Sequence, residues 1–123
     1  MICCLKTTNS VLKNGGFVEN LLILDNGLVC AHQQYEKKLS WDDGLLYCSL
    51  LIIDGYCDWR MPTLQELKYL NHILTTECYY WSFDCKEDDS ACVQYINQRA
   101  SMRHQIYQPK NNQHIIRPVR NTI

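Results

Sequence analysis

The stretch that decides the fold is Gly55-Tyr56-Cys57-Asp58-Trp59-Arg60-Met61-Pro62-Thr63-Leu64-Gln65-Glu66-Leu67. Its second half carries a helix-start signal, because Thr63 and Glu66 have the spacing of a capping box. In that motif the Thr hydroxyl accepts the backbone N–H of residue 66, and the Glu carboxylate accepts the backbone N–H of residue 63. The spacing therefore predicts a helix that begins at Leu64.

The residues just before this helix are predicted to anchor it. Pro62 keeps Met61 extended, since a residue that precedes proline avoids the helical region. We therefore expect Trp59 to fill the core. Arg60 is predicted to reach a neighbouring segment as a buried structural cation, paired with a carboxylate or with backbone carbonyls. A ligand contact is the alternative role for Arg60.

Upstream of this stretch the sequence predicts a β-hairpin. Strands are expected over Phe17–Leu24 and Leu28–His32. Between them, Asn26-Gly27 is a strong short-range hairpin signal, because both residues tolerate positive φ.

Two amphipathic helices are predicted, over Trp41–Ile52 and Leu64–Ile73. The first has its own capping pattern, in which Ser40 is followed three residues later by Asp43. Apolar residues recur at helical spacing along one face of each helix. These faces consist of Trp41, Leu45, Cys48 and Ile52 in the first helix, and of Leu64, Leu67, Leu70 and Leu74 in the second.

The second half of the chain is predicted to be strand and loop. Strands are expected over Tyr79–Ser82, Ala91–Ile96 and His114–Arg120, with an acidic turn over Asp84–Ser90 and a polar segment of little periodicity over Asn97–Asn112. Since the helices come early and most strands late, the predicted fold class is α+β.

Five motifs in this chain occur in the same order as in the DUF1566 family, also called the Lcl C-terminal domain, and the chain resembles that family over roughly residues 21–120. The motifs are Asp25-Asn26-Gly27-Leu28, Leu39-Ser40-Trp41-Asp42-Asp43-Gly44-Leu45-Leu46-Tyr47-Cys48, the stretch Gly55–Leu67, Tyr80-Trp81-Ser82 and Ile116-Arg117-Pro118-Val119-Arg120. Two positions depart from the family pattern, with Cys30 and Cys92 where tryptophan is usual.

The resemblance implies a single C-type-lectin-like domain with two early helices and a mostly antiparallel, twisted sheet. It also implies a distant relation to formylglycine-generating enzymes and to phage tropism-determinant proteins, in which the late loops and strands display the binding face. Positions that match the family motifs are implied to be structural, namely Trp41, Trp59, Arg60, Pro62, Thr63, Glu66, Trp81 and Arg117.

Length and composition fit one globular domain. The chain has 123 residues, of which 46% are hydrophobic and 20% are charged. We expect the domain to span residues 17–123, after a segment at 1–16 that is loosely ordered or docked on a partner. No apolar run approaches the roughly 18 residues that cross a membrane, so no membrane insertion is predicted. Without a recognisable secretory signal, synthesis in the cytoplasm is expected.

Eight cysteines leave two alternatives open. Secreted domains use cysteines as disulfides, whereas a cytoplasmic chain keeps them as small buried hydrophobes. The missing export signal favours mostly reduced thiols.

Charge is distributed unevenly along the chain. All 13 acidic residues precede Ser90, whereas the cations Arg99, Arg103, Lys110, Arg117 and Arg120 follow it without any acid. A basic segment can bind an anionic partner. The alternative is that the two halves neutralise each other within one fold, which makes nucleic acid an unlikely partner since no run of five like charges is present.

The sequence predicts no metal, cofactor or catalytic residue. Calcium-dependent sugar binding needs several oxygen ligands, and the nearest match, Gln108-Pro109-Lys110-Asn111, places an ammonium among them. Trp81-Ser82-Phe83-Asp84 lacks the paired Asn-Asp of such sites. The four histidines are scattered, and no cysteine or serine lies beside a base in a recognisable motif.

Residues 99–114 form a polar stretch with side chains suited to adaptable recognition. The predicted ligand-binding residues within it are Arg99, Arg103, His104, Tyr107, Lys110 and Asn111. A plain polar loop is the alternative interpretation.

Together these features predict a non-catalytic binding or adhesion module, on the surface of a phage virion, that recognises a glycan or protein without calcium. The first alternative is a structural, decoration or assembly subunit of a virion that docks on neighbouring subunits. The distant alternative is an enzyme with the fold of formylglycine-generating enzymes.

Overall fold

The structure is a computed structural model that describes residues 17–18, 21–24, 26–96 and 105–122. It confirms the α+β class, with two helices and mostly antiparallel strands. The predicted segment at residues 1–16 lies outside the described residues. No helix in the described part is long and apolar enough to cross a membrane.

The first sheet is antiparallel throughout and has the order β1-β2-β3-β9. Its strands are β1 Phe17–Val18, β2 Leu21–Ile23, β3 Leu28–Ala31 and β9 Val119–Asn121. The predicted hairpin is present, because β2 and β3 pair across a turn in which Gly27 has a φ of 86°. The Asn26 side chain stabilises this turn by accepting the Leu28 N–H at 3.1 Å.

The second sheet has the order β4-β8-β5-β6-β7. Its strands are β4 Lys37–Leu39, β5 Tyr79–Glu87, β6 Ser90–Tyr95, β7 Gln105–Pro109 and β8 His114–Ile116. All neighbours pair antiparallel except β5 and β8, which run parallel where Tyr80 lies opposite Ile115. A short 3-10 helix, Gln33–Tyr35, leads from the first sheet to the second.

Both helices begin where their caps predict. The first helix, α1 Trp41–Leu50, starts after Ser40, whose hydroxyl accepts the Asp43 N–H at 3.3 Å. The second, α2 Leu64–Leu70, starts with the complete capping box between Thr63 and Glu66.

The helix ends differ from the prediction. After α1 the chain turns extended at Leu51 and then reverses at Asp54 and Gly55, which have φ values of 53° and 83°. Ile52 therefore leaves the predicted apolar face and is 54% exposed. After α2 the chain makes one further turn, in which the Leu74 N–H donates to the Leu70 carbonyl at 3.0 Å. The Leu74 side chain is fully buried there.

Three apolar clusters form the core. The first cluster joins α2 to both sheets and contains Leu67, Leu70, Leu74, Tyr80 and Val119. The second cluster lies under α1 and contains Trp41, Met61, Trp81, Val93 and Ile116. In the third cluster Trp59 packs on Leu21, Val29 and Ile53. All three tryptophans are buried as predicted, at 6% exposure or less. Met61 and Pro62, which precede α2, are buried as well.

Two strand predictions in the second half are wrong. Strand β5 extends to Glu87, so the predicted acidic turn is reduced to Asp88 and Asp89. This extension contains register shifts against β6, which interrupt the alternation that would reveal it in the sequence. Strand β7 lies in the segment predicted to be without periodicity, and its side chains are exposed or half-buried on both faces.

The predicted closing strand is divided between the two sheets. Residues His114–Ile116 belong to the second sheet as β8, whereas Val119–Asn121 belong to the first as β9. Pro118 lies at the crossing, where its carbonyl accepts the Ala31 N–H at 3.0 Å. Proline favours a break here because it cannot donate to a ladder.

Candidate functional site

A polar groove lies where the N-terminus of α1 meets the β5–β6 and β7–β8 turns. It encloses about 750 Å³. Its lining residues are Ser40, Asp42, Asp43, Asp88, Asp89, Pro109, Lys110, Asn111 and Gln113.

Backbone hydrogen bonds tie the three walls of the polar groove together. The Trp41 N–H donates to the Lys110 carbonyl at 2.9 Å, which joins α1 to the β7–β8 turn. The Lys110 N–H donates to the Asp89 carbonyl at 2.9 Å, which joins this turn to the β5–β6 turn. These two bonds hold the backbone of the groove walls together.

The charge of the polar groove is acidic on balance. Four aspartates line it together with a single cation, Lys110. The ammonium of Lys110 lies 4.2 Å from the centroid of the Trp41 ring, so this cation already has an aromatic partner. The balance favours a neutral or cationic ligand in the groove and disfavours an anionic one.

Trp41 forms the floor beneath Lys110. Its indole Nε1–H donates to the Ser82 carbonyl at 2.9 Å, which fixes the ring in the core. The Phe83 ring stacks beside it, with centroids 6.1 Å apart and planes inclined by 29°. Phe83 itself is 52% exposed.

The structure places the predicted ligand residues in different positions. Lys110 and Asn111 line the polar groove. Tyr107 lies on β7 and is 49% exposed, outside that lining. Arg99, Arg103 and His104 lie outside the described residues.

Sequence reasoning missed the aspartates of the groove. The sequence predicts a capping pattern for Ser40 and Asp43, and an acidic turn that contains Asp88 and Asp89. The two pairs are more than forty residues apart, and only tertiary folding brings them to one groove. No local pattern in the sequence indicates this.

Arg60 pairs with a carboxylate as predicted but is less buried than expected. Its Nη1 and Nη2 donate to the two Glu66 carboxylate oxygens at 2.7 Å each, and Nη2 also donates to Asn121 Oδ1 at 2.7 Å. The Arg60 side chain is 35% exposed, because it lies at the surface between Glu66 of α2 and Asn121 of β9. Burial opposes the charged form of Glu66, yet the bonds from Arg60 and the Thr63 N–H lower its pKa.

Arg117 is buried and donates to a backbone carbonyl and to a carboxylate. Its Nε donates to the Ala31 carbonyl at 2.6 Å and its Nη1 donates to Glu36 at 2.8 Å. The Tyr80 hydroxyl donates to the same Glu36 oxygen at 2.6 Å. Both charged side chains are at most 10% exposed. The network joins β8–β9 to β3, β5 and the segment before β4.

Three of the described thiols are poor nucleophiles. Burial raises the pKa of Cys30 to about 11, that of Cys48 to about 12 and that of Cys78 to about 11. A thiol in that state is little ionised near neutral pH. Five described cysteines are free, whereas Cys57 is disulfide-bonded.

Of the two histidines in the polar stretch at residues 99–114, the structure describes His114. Burial lowers its pKa, with a further effect from Lys38, and both favour the neutral ring. It meets the Trp81 ring edge-on with centroids 5.0 Å apart, and its Nε2 lies 3.3 Å from Gln108 Oε1. Among the described residues no group of three or more potential metal ligands converges.

Two other depressions lie on the surface. One has a volume of about 750 Å³ and borders α2, and its lining residues are Asn26, Gln65, Glu66, Lys68, Tyr69, His72 and Ile73. The other has a volume of about 370 Å³, and its lining residues are Arg60, Met61, Thr63, Phe83 and Asn121. Neither contains a predicted ligand residue, whereas the polar groove contains two. The polar groove is therefore the candidate site.

Neither a scan against protein-family models nor a search of curated proteins finds a match to this chain.

Proposed function

We propose that this chain is a non-catalytic binding domain of C-type-lectin-like fold that takes a neutral glycan in the polar groove without calcium. We place it on the surface of a virion, in keeping with the resemblance to the DUF1566 family and to phage tropism proteins. The observation that carries the proposal is the groove itself, with four carboxylates and two amides on fixed backbone.

The groups in the groove suit hydroxyl-rich ligands. Carboxylates accept hydrogen bonds from hydroxyls, and the amides of Asn111 and Gln113 both donate and accept. Bonds with an ionised acceptor are stronger than neutral ones. An anionic glycan would instead face four like charges. Within this site a neutral sugar therefore replaces the anionic ligand that the basic late segment suggests.

Calcium independence follows from Lys110. Its ammonium occupies the same groove as the four aspartates, so a divalent cation there would meet a like charge. We expect binding to persist in a chelator. The low reactivity of the buried thiols supports binding rather than catalysis, because a thiol nucleophile needs a lowered pKa.

The test is a glycan array probed with purified protein, with and without EDTA. Asp88→Asn combined with Asp89→Asn should weaken binding about tenfold or more, since both acceptors become neutral and a hydrogen bond contributes about 0.5–1.5 kcal/mol with a neutral acceptor against about 1.5–3 kcal/mol with a charged one. Glu77→Gln is the matched control, because Glu77 is exposed and outside the groove. Loss of binding in EDTA, or equal binding by both variants, would contradict the proposal.

The second candidate is an assembly subunit, and a separate observation favours it. Leu46 and Leu50 lie one turn apart on α1 and are 57% and 68% exposed, and Ile52 beyond the helix is 54% exposed. Neighbouring exposed aliphatic residues are typical of a contact surface. Light scattering after size-exclusion chromatography should then show oligomers that Leu46→Gln with Leu50→Gln converts to monomers. A monomeric parent protein would count against this candidate.

A further inference from the structure

We infer that the Trp41 ring is a covered stacking surface beside the polar groove and that the Lys110 side chain is its movable cover. The inference rests on the proposed function, since it assigns the place where a sugar ring would lie.

The Lys110 side chain lies over the Trp41 ring. Trp41 is 6% exposed, with the Lys110 ammonium 4.2 Å above the ring centroid and the Phe83 ring stacked beside it. The indole N–H is bonded to Ser82 in the core, so the ring cannot rotate outward without losing that bond. The ring is therefore fixed, and the groove gains an aromatic floor when Lys110 moves away.

Lys110 can move without a change in the backbone. Its N–H and its carbonyl are both held, by Asp89 and Trp41 respectively, at 2.9 Å each. The side chain is long and flexible, and no ion pair within the described residues ties its ammonium to a carboxylate. Within the described part of the chain, motion of the ammonium breaks the contact with the ring and no ion pair.

The chemistry of the uncovered floor fits a pyranose. One face of such a ring carries C–H groups that pack on an aromatic surface, while its hydroxyls reach the surrounding carboxylates and amides. A neutral ligand that displaces Lys110 from the ring leaves its ammonium free to approach the groove aspartates.

The first arm of the test needs no ligand. Acrylamide quenching of tryptophan fluorescence reports the accessible fraction, and Trp59 and Trp81 are only 3% and 0% exposed. Lys110→Ala should raise the quenchable fraction well above that of the parent protein, whereas Lys110→Arg, which restores a cation, should not. Lys37→Ala removes an exposed lysine elsewhere and is the control. An unchanged fraction in Lys110→Ala, with an unchanged melting temperature, would overturn the inference.

The second arm uses maltotetraose, cellotetraose and chitotetraose as neutral probes in calorimetric titrations. The best of these should bind Lys110→Ala two- to fivefold more tightly than the parent, the factor equivalent to about 0.5–1 kcal/mol for an exposed cation–π contact. It should also protect Trp41 from acrylamide. Weaker binding by Lys110→Ala would show that Lys110 contacts the ligand directly, which overturns its role as a cover.

The two arms separate this inference from the proposed function. If Lys110→Ala exposes the ring but none of the probes binds either protein, the glycan function is contradicted, and the stacking role of Trp41 falls with it. If a probe binds and the quenchable fraction does not change, the function stands and the cover is wrong.

Discussion

At the scale of single residues, the charged side chains of the core carry specific pairings. Arg117 and the Tyr80 hydroxyl share one network, in which both donate to the same carboxylate oxygen of Glu36. In the described part of the chain no buried side-chain nitrogen or oxygen lacks a partner. Removing one member of such a network costs more than the bond itself, because the remaining charge stays buried without compensation.

Glu36→Ala should therefore destabilise the fold by about 3–5 kcal/mol, since it leaves Arg117 buried without its carboxylate. Tyr80→Phe is the matched comparison, because it removes only one hydrogen bond to the same oxygen and should cost about 0.5–1.5 kcal/mol. Urea unfolding at pH 7 measures both. Equal losses for the two variants would show that the Arg117–Glu36 pair contributes nothing beyond a neutral bond.

Glu66 predicts a pH dependence of stability. Its folded-state pKa lies below the usual 4.5, so the unfolded chain binds the proton more tightly. Its contribution is therefore present above about pH 4.5 and is lost as the pH falls through the folded-state pKa. The stability difference between the parent and Glu66→Gln should be larger at pH 7 than at pH 3, measured by urea midpoints. A constant difference would mean that the Arg60 pair does not stabilise the fold.

At the scale of elements, the close approach of α1 to β8 depends on a glycine. A Cβ at Gly44 would collide with Cδ1 of Ile116 and would lie 3.0 Å from its Cγ1 and 3.1 Å from Met61 Cε. Ile116 is fully buried, so it has little room to rotate away. The helix thus packs against the sheet at a distance that a larger residue would not allow.

Gly44→Ala should destabilise the protein by about 1 kcal/mol or more. Overpacking typically costs about 1–3 kcal/mol, which exceeds the gain of up to about 1 kcal/mol in helix propensity. In an Ile116→Val background, which removes the colliding Cδ1, the same substitution should be neutral or stabilising. A thermal melt of the four proteins forms a double-mutant cycle, and additive effects would contradict the assigned collision.

At the scale of the whole molecule, the two sheets are joined by one closing segment and one shared cluster. The segment crosses at Pro118 from β8 to β9, and the cluster around Leu67, Leu70 and Tyr80 packs on both sheets. Buried thiols lie in this cluster and the neighbouring one, so their reactivity follows the unfolding of the whole domain. Cys85 is different because it is exposed.

Alkylation with iodoacetamide should follow this distribution. In the native protein Cys85 should react first, whereas Cys30, Cys48 and Cys92 should be protected by burial. In denaturant without reductant all five free cysteines of the described part should react, and Cys57 should react only after reduction. Mass spectrometry of peptides identifies each site. Rapid native labelling of Cys30 or Cys48 would show that the domain opens locally.

The sequence by itself determined the features that depend on neighbours along the chain. The starts of α1 and α2 follow from side chains three residues apart, as in the Thr63–Glu66 capping box, and the β2–β3 turn follows from Asn26-Gly27. The burial of Trp41, Trp59 and Trp81 was also predictable, because large aromatic residues cannot remain in water without cost.

Only the tertiary structure decided where distant segments meet. It split the closing strand between two sheets, paired the exposed strand β7 with β6, and left Arg60 partly exposed between Glu66 and Asn121. It also brought Asp42, at the start of α1, and Asp88, in the β5–β6 turn, to one groove beside Lys110. The physical reason is the distance along the chain between the bonded residues. Caps and turns depend on hydrogen bonds between residues three or four positions apart. The polar groove depends on backbone hydrogen bonds between segments up to about seventy residues apart, which local sequence patterns do not encode.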